Sequence, residues 1–191
     1  SYVKKLGDKA KTLVDLGHHL PNANIEQIVS LLLMEDKLGG FHFNDSKYGD
    51  DDLTAGALKP YQLFLIFNEL VEGMDARGMN HAKDLGWMID ASHNVKDPME
   101  DLLQSVEAIM VAYAQALSVD RKALEIAQEE NDVVKAQEIL QNAFRTDVRA
   151  LVAEARLRSG AALNPVGLYR DLAVRKALIA ERGLKTVATG L

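Results

Sequence analysis

Six side chains in the first half of the chain have the types and spacing to bind divalent cations: Asp15, His18, His42, Asp50, Asp52 and Asp90. Four carboxylates and two imidazoles make an oxygen-rich mixed set that suits Mn²⁺, Mg²⁺ or Co²⁺ better than a thiolate-seeking ion, and they are enough for more than one metal. The densest stretch is Phe41-His42-Phe43-Asn44-Asp45-Ser46-Lys47-Tyr48-Gly49-Asp50-Asp51-Asp52. Along an extended backbone, His42 and Asn44 share one face while Phe41, Phe43 and Asp45 share the other. Asp50 and Asp52 are two apart, so an extended turn aims both the same way, and three adjacent aspartates repel unless a cation or solvent neutralises them. The bland alternative is a solvated acidic turn closed by Gly49.

The elements that must carry these residues read as βα units. Thr12 to Asp15 is a short apolar run ending in a carboxylate, Phe41 to Asp45 a second strand, and Leu85 to Asp90 a third that also ends in aspartate. Asn24 caps a helix expected from Ile25 to about Leu38, which Gly39-Gly40 should end. Pro60 opens an apolar helix through Tyr61, Leu63, Phe64, Phe67 and Leu70. From Pro98 the sequence is all helix: Pro98 to about Leu117, a segment after the Asp120 cap, a long one from about Asp132 to Ser159, and two shorter ones around Pro165 to Arg182, punctuated by Gly160 and Asn164-Pro165. Short strands separated by crossover helices pair in parallel, and (β/α)₈ barrels and open parallel sheets both keep their sites at the C-terminal ends of the strands. Charged groups at buried strand ends are costly unless paired or coordinated, which favours ligation over chance.

Composition narrows the class. The 191 residues are 48% hydrophobic and 26% charged, as in one folded domain with a sizeable core. A net charge of -6 without a lysine and arginine cluster argues against a nucleic-acid partner. The absence of cysteine excludes disulfides and thiolate sites and fits a reducing cytoplasm, the expected location. No apolar run is long enough to span a bilayer, so no membrane partner is expected. Ser1 to Leu6, stopped by Gly7, reads as the tail of a helix, as if the chain were the C-terminal portion of something longer.

Three blocks carry a family resemblance: Val14-Asp15-Leu16-Gly17-His18-His19 with Pro21-Asn22-Ala23-Asn24-Ile25-Glu26, then Gly39-Gly40-Phe41 through Asp52, then Ile89-Asp90-Ala91-Ser92-His93-Asn94. Together they resemble the bacterial L-rhamnose isomerases of broad specificity, in the xylose-isomerase-like barrel superfamily. The resemblance implies an α/β fold, the C-terminal part of a (β/α)₈ TIM barrel with three parallel strands followed by a helical extension. Residues 1–97 would be the last βα units, and 98–191 the last barrel helix and the extension of the same domain. It further implies a cytoplasmic homotetramer, about twice as long per chain, acting on aldose and ketose sugars.

What the resemblance implies chemically is an isomerase with two divalent ions, Mn²⁺ first, with Co²⁺, Mg²⁺ or Zn²⁺ as substitutes. Asp15, His42 and Asp90 match the ligands of a structural ion, and His18, Asp50 and Asp52 those of a catalytic ion. Asp90 and His18 are the expected catalytic residues. A bridging glutamate, a histidine and a lysine of the family belong to earlier strands and have no counterpart in the 191 residues, so the isolated chain is expected to be an inactive C-terminal fragment. Moving a hydrogen between C1 and C2 of a sugar needs its carbonyl polarised and a hydroxyl made acidic, which cations bound at O1, O2 and O3 achieve. The competing reading is a metal-dependent barrel hydrolase or phosphodiesterase of the endonuclease IV type, which the chain's acidity disfavours.

Flanking residues are assigned humbler work. His19 should orient a loop or carboxylate, Asn44 and Lys47 should hold the acidic turn, and His93 should cap a helix or lie at the surface. Trp87, Phe64 and Phe67 should pack the core, and the charges of 125–158 should line solvated or subunit-facing helix sides.

Overall fold

A computed structural model describes residues 2–76, 85–91 and 96–184. The element order is α1 (Tyr2–Lys5), β1 (Thr12–Asp15), α2 (Ile25–Met34), β2 (Leu38–Phe43), α3 (Pro60–Val71) running into a π-helical turn (Glu72–Ala76), β3 (Gly86–Ile89), α4 (Pro98–Leu117), α5 (Arg121–Glu129), α6 (Val133–Arg145), α7 (Arg149–Arg158), α8 (Pro165–Asp171) and α9 (Val174–Arg182). The fold is α/β, with three parallel strands in the order β1-β2-β3. Residues 1–152 and 153–191 form two compact units. The smaller holds the end of α7 with α8 and α9, and Asn164 caps α8 by accepting from the Gly167 amide at 2.9 Å.

Register decides which side chains meet. Asp15 pairs with His42, and His42 with Met88; on the alternate positions Val14 pairs with Phe41, and Phe41 with Trp87. In a parallel ladder, paired residues point the same way, so one face carries Val14, Phe41, Phe43, Trp87 and Ile89 and the other Leu13, Asp15, His42 and Met88. The first face is the core. Phe43 stacks on Phe67 of α3 at 5.8 Å and on Trp87 at 5.8 Å, and Val29 and Leu33 of α2 join the same buried cluster as Phe41, Phe43, Phe64 and Phe67. Trp87, expected in the core, instead stacks on Phe41, Phe43 and Phe67 from its edge and is 44% exposed. On the second face Leu13 and Met88 are exposed beside the polar residues.

Several boundaries differ from the sequence reading. α2 stops at Met34, and Asp36 takes a left-handed φ of 50°. Gly39 and Gly40, expected to end that helix, instead lie inside β2. A Cβ at Gly40 would stand 2.9 Å from the Cα and N of Gly86 on β3, so glycine here permits the close approach of two strands. The long helix expected over 132–159 is two helices. Thr146 is extended at ψ 127°, Asp147 takes the Arg149 amide at 3.1 Å as a new start, and Val148 turns inward against Ala114 and Val152. The caps at Asn24 and Asp120, and Pro60 as the first residue of α3, are as expected. Arg156 departs from the solvated helix sides, being 7% exposed. Among the described residues no single helix is long and apolar enough to cross a membrane; the α4–α5 pair passes on length and composition only together, bent by 65°.

Candidate metal centre

Where β1 ends, Asp15 becomes a hub. Its Oδ1 accepts from the Gly17 amide at 3.1 Å and from Asn44 Nδ2 at 3.0 Å, and lies 2.8 Å from His18 Nδ1; its Oδ2 is 3.0 Å from His42 Nδ1. Parallel register supplies His42 on the next strand and Asn44 two residues further along the same face. β3 supplies the third wall: the Asp90 amide donates to the Phe43 carbonyl at 3.1 Å, and Asp90 Oδ2 stands 3.0 Å from His42 Nδ1. One donor atom each from Asp15, His42 and Asp90 lie within 4.8 Å of one another. Donors around an octahedral ion with bonds of about 2.2 Å are separated by about 3.1 Å in adjacent positions and about 4.4 Å in opposite ones. The trio therefore has the dimensions of a single divalent site.

The second expected set is arranged differently. His18 leaves the β1 end with its side chain 53% exposed and bridges Asp15 through Nδ1 to Asp50 Oδ2 through Nε2, the latter at 3.1 Å. Asp52 Oδ1 accepts from Asn44 Nδ2 at 3.1 Å. Asn44, 2% exposed, thus ties the two sets together, and Gly17 makes room for it, since a Cβ there would lie 3.0 Å from Asn44 Oδ1. That oxygen is buried without a hydrogen-bond partner among the described residues.

The acidic turn is not extended, a correction with a plain cause. Asp52 takes a left-handed φ of 45°, and Asp51 faces back into the loop, where its Oδ2 accepts from the Lys47 and Tyr48 amides at 2.6 and 2.8 Å. Of the three aspartates, the middle one builds the turn and the outer two face the strand ends. Lys47 Nζ lies over the Tyr48 ring at 4.9 Å instead of offsetting the carboxylates. Sequence reasoning also missed Asp45. Its Oδ2 accepts from the Leu58 and Lys59 amides at 2.7 and 2.9 Å at the start of α3, and its backbone pairs with Leu53, closing the neck of the loop. The signal was available, since Lys59 offers no side-chain cap to the first turn of α3.

Electrostatics follow from these contacts. Burial alone would raise the Asp15 carboxyl, but hydrogen bonds from His18, Asn44 and His42 outweigh it and hold it below its ordinary value. The same bond to Asp15, with its negative charge, raises His18. Burial, then the charges of Asp50 and Asp90, push Asp52 up. His19 is half-buried, and burial pushes its imidazole down. His93, with Ser92 and Asn94 of the third block, lies outside the described residues.

Fold and site together define a parallel α/β chain with a carboxylate and imidazole cluster at the C-terminal ends of its strands. No family model matches the chain. It is 54% identical over 189 residues to a probable sugar isomerase of Mesorhizobium japonicum, covering 98% of this chain and 43% of that protein. It is 56% identical over 179 residues to a probable sugar isomerase of Rhizobium meliloti, covering 94% of this chain and 41% of that protein. The chain thus spans less than half the length of the curated relatives it matches.

Proposed function

We propose that the chain is the C-terminal part of a metal-dependent sugar isomerase of the L-rhamnose isomerase type, converting L-rhamnose to L-rhamnulose and accepting other aldoses. The observation that carries this reading is the convergence of Asp15, His42 and Asp90 on one point, with His18 and Asp50 joined to it through Asp15. One imidazole nitrogen facing two carboxylate oxygens at 3.0 Å cannot give both a linear hydrogen bond, whereas a cation between the three balances their charges. The likeness to two proteins named probable sugar isomerases supports the substrate class.

In this reading Asp15, His42 and Asp90 hold one divalent ion, and His18, Asp50 and Asp52 a second, Mn²⁺ first among several. Bound ions supply Lewis acidity, polarising a sugar carbonyl and acidifying its neighbouring hydroxyl. The chain's own residues do the rest. Asp90, its side chain 48% exposed, would relay the proton from O2 of the aldose to O1 while the hydrogen on C2 passes to C1, so the C1 carbonyl becomes a hydroxyl and a carbonyl forms at C2 with no atom gained or lost. Asp15 keeps His18 turned toward Asp50, and Asn44 holds the Asp52 carboxylate at the rim. The sequential parallel order, with helices on one face and the polar residues on the other, supports reading the chain as a TIM-barrel segment, in which further strands would pair with the open edges. A cytoplasmic homotetramer goes with it.

The test is an assay of the full-length protein after chelation. L-Rhamnulose should form on return of Mn²⁺ and not before, and no product with any aldose, ion restored, would contradict the reading.

A further inference from the structure

At the N-terminal end of α4 lies a carboxylate that the site above does not use. Asp101 is 1% exposed. Its Oδ1 accepts from the Thr54 hydroxyl and from Lys96 Nζ at 3.1 Å, and Lys96 Nζ also donates to Thr54 Oγ1. One turn further along α4, Ser105 Oγ, fully buried, accepts from the Ala55 amide at 3.1 Å. Thr54 follows Asp52 by two residues, and Lys96 follows Asp90 by six. The cluster therefore joins the segment leaving Asp52 to a single helix.

Stability alone gives no reason for this arrangement. The Lys96 side chain is 40% exposed, so its pairing with Asp101 is screened by solvent and contributes little by itself, and Asp101 Oδ2 has no hydrogen-bond partner among the described residues. An independent feature lies next door: Asp52 takes a left-handed φ of 45°, uncommon for a non-glycine residue though better tolerated by aspartate than by most. On one side of it the Asp45–Leu53 bridge closes the loop, and just beyond, Thr54 and Ala55 are pinned to α4.

We propose that Asp101 is a positioning residue which, through Thr54, fixes the carboxylate of Asp52 so that the ion site containing it stands preformed before any ion arrives. The proposal rests on the two-ion reading, deepens it, and can fail separately from it. Thr54 is the sensitive handle, because Thr54→Val removes the hydroxyl at constant shape and Thr54→Ser restores it.

Full-length protein stripped of metal and titrated with Mn²⁺, by electron paramagnetic resonance and calorimetry, decides the matter. Thr54→Val and Asp101→Asn should each weaken the Asp52-containing site about tenfold with far-UV circular dichroism unchanged, and Thr54→Ser should return it to within about twofold of the unaltered protein. If Asp101→Asn fails to fold, the Thr54 pair alone decides. Unchanged Mn²⁺ affinities in Thr54→Val, with only a lower melting temperature, overturn the positioning role and leave the two-ion reading standing. Unaltered protein that binds no Mn²⁺ overturns both.

Discussion

His18 is where protons and ions compete most directly. Its pKa is raised by Asp15, so the ion-free protein keeps the imidazolium above the ordinary imidazole value. A cation can use the nitrogen only once that proton has left. Stability and affinity then carry opposite signs. A raised folded-state pKa stabilises the ion-free fold below the unfolded value, and this contribution is lost as pH rises through the folded value. Mn²⁺ affinity at the His18 site should climb over the same interval, by up to about tenfold per pH unit while one proton is displaced. Titrations at pH 6 and pH 8 check this, and equal affinities would exclude His18 as a ligand. Asn44 gives a complementary test: Asn44→Ala strips donors from both Asp15 and Asp52 and should cost about 1–3 kcal/mol of stability, read by thermal unfolding. Asp15 and Asp90 stand out in the sequence because each closes a short apolar run, whereas His18, His42, Asp50 and Asp52 stand out by type and spacing and received their ion assignments only through the family resemblance. The work of Asp101 was not legible, because its partner Thr54 lies 47 residues away and an acid in the first turn of a helix looks like ordinary capping.

The elements carry the site through register. Asp15 meets His42 because β1 and β2 pair in parallel at that step, and Asp90 arrives because β3 sits tight against β2 at Gly40 and Gly86. Gly40→Ala should push those strands apart, costing about 1–3 kcal/mol and weakening Mn²⁺ binding at the Asp90 trio; denaturant unfolding with a parallel metal titration checks both. This pair also explains a boundary that sequence reasoning misplaced. Two adjacent glycines look like a helix stop until the neighbouring backbone that needs the space is known. The break at Thr146 was hidden for a similar reason. Good helix formers flank it on both sides, but Thr146-Asp147-Val148 are weak ones, Asp147 is an N-cap type, and the packing of Val148 on Ala114 and Val152, a tertiary contact, fixes the interruption there. Strand ends and caps, by contrast, are local chemistry, which is why Thr12–Asp15, Asn24, Pro60 and Asp120 were readable in advance.

Taken whole, the chain pairs three strands and leaves Leu13 and Met88 exposed on the face that holds the candidate site. Its relatives are more than twice as long, and in the proposed reading their remaining length supplies further strands and a bridging carboxylate. The 191-residue chain by itself should accordingly show little isomerase activity with Mn²⁺, and adding the rest of the protein, in one chain or as a complementing piece, should restore it. Robust turnover by the 191-residue chain would contradict that division of labour. The most direct measurement is anomalous diffraction at the manganese edge from crystals of the full-length protein soaked in Mn²⁺. The account predicts one peak among Asp15, His42 and Asp90 and another among His18, Asp50 and Asp52; peaks elsewhere, or none at these strand ends, would contradict it.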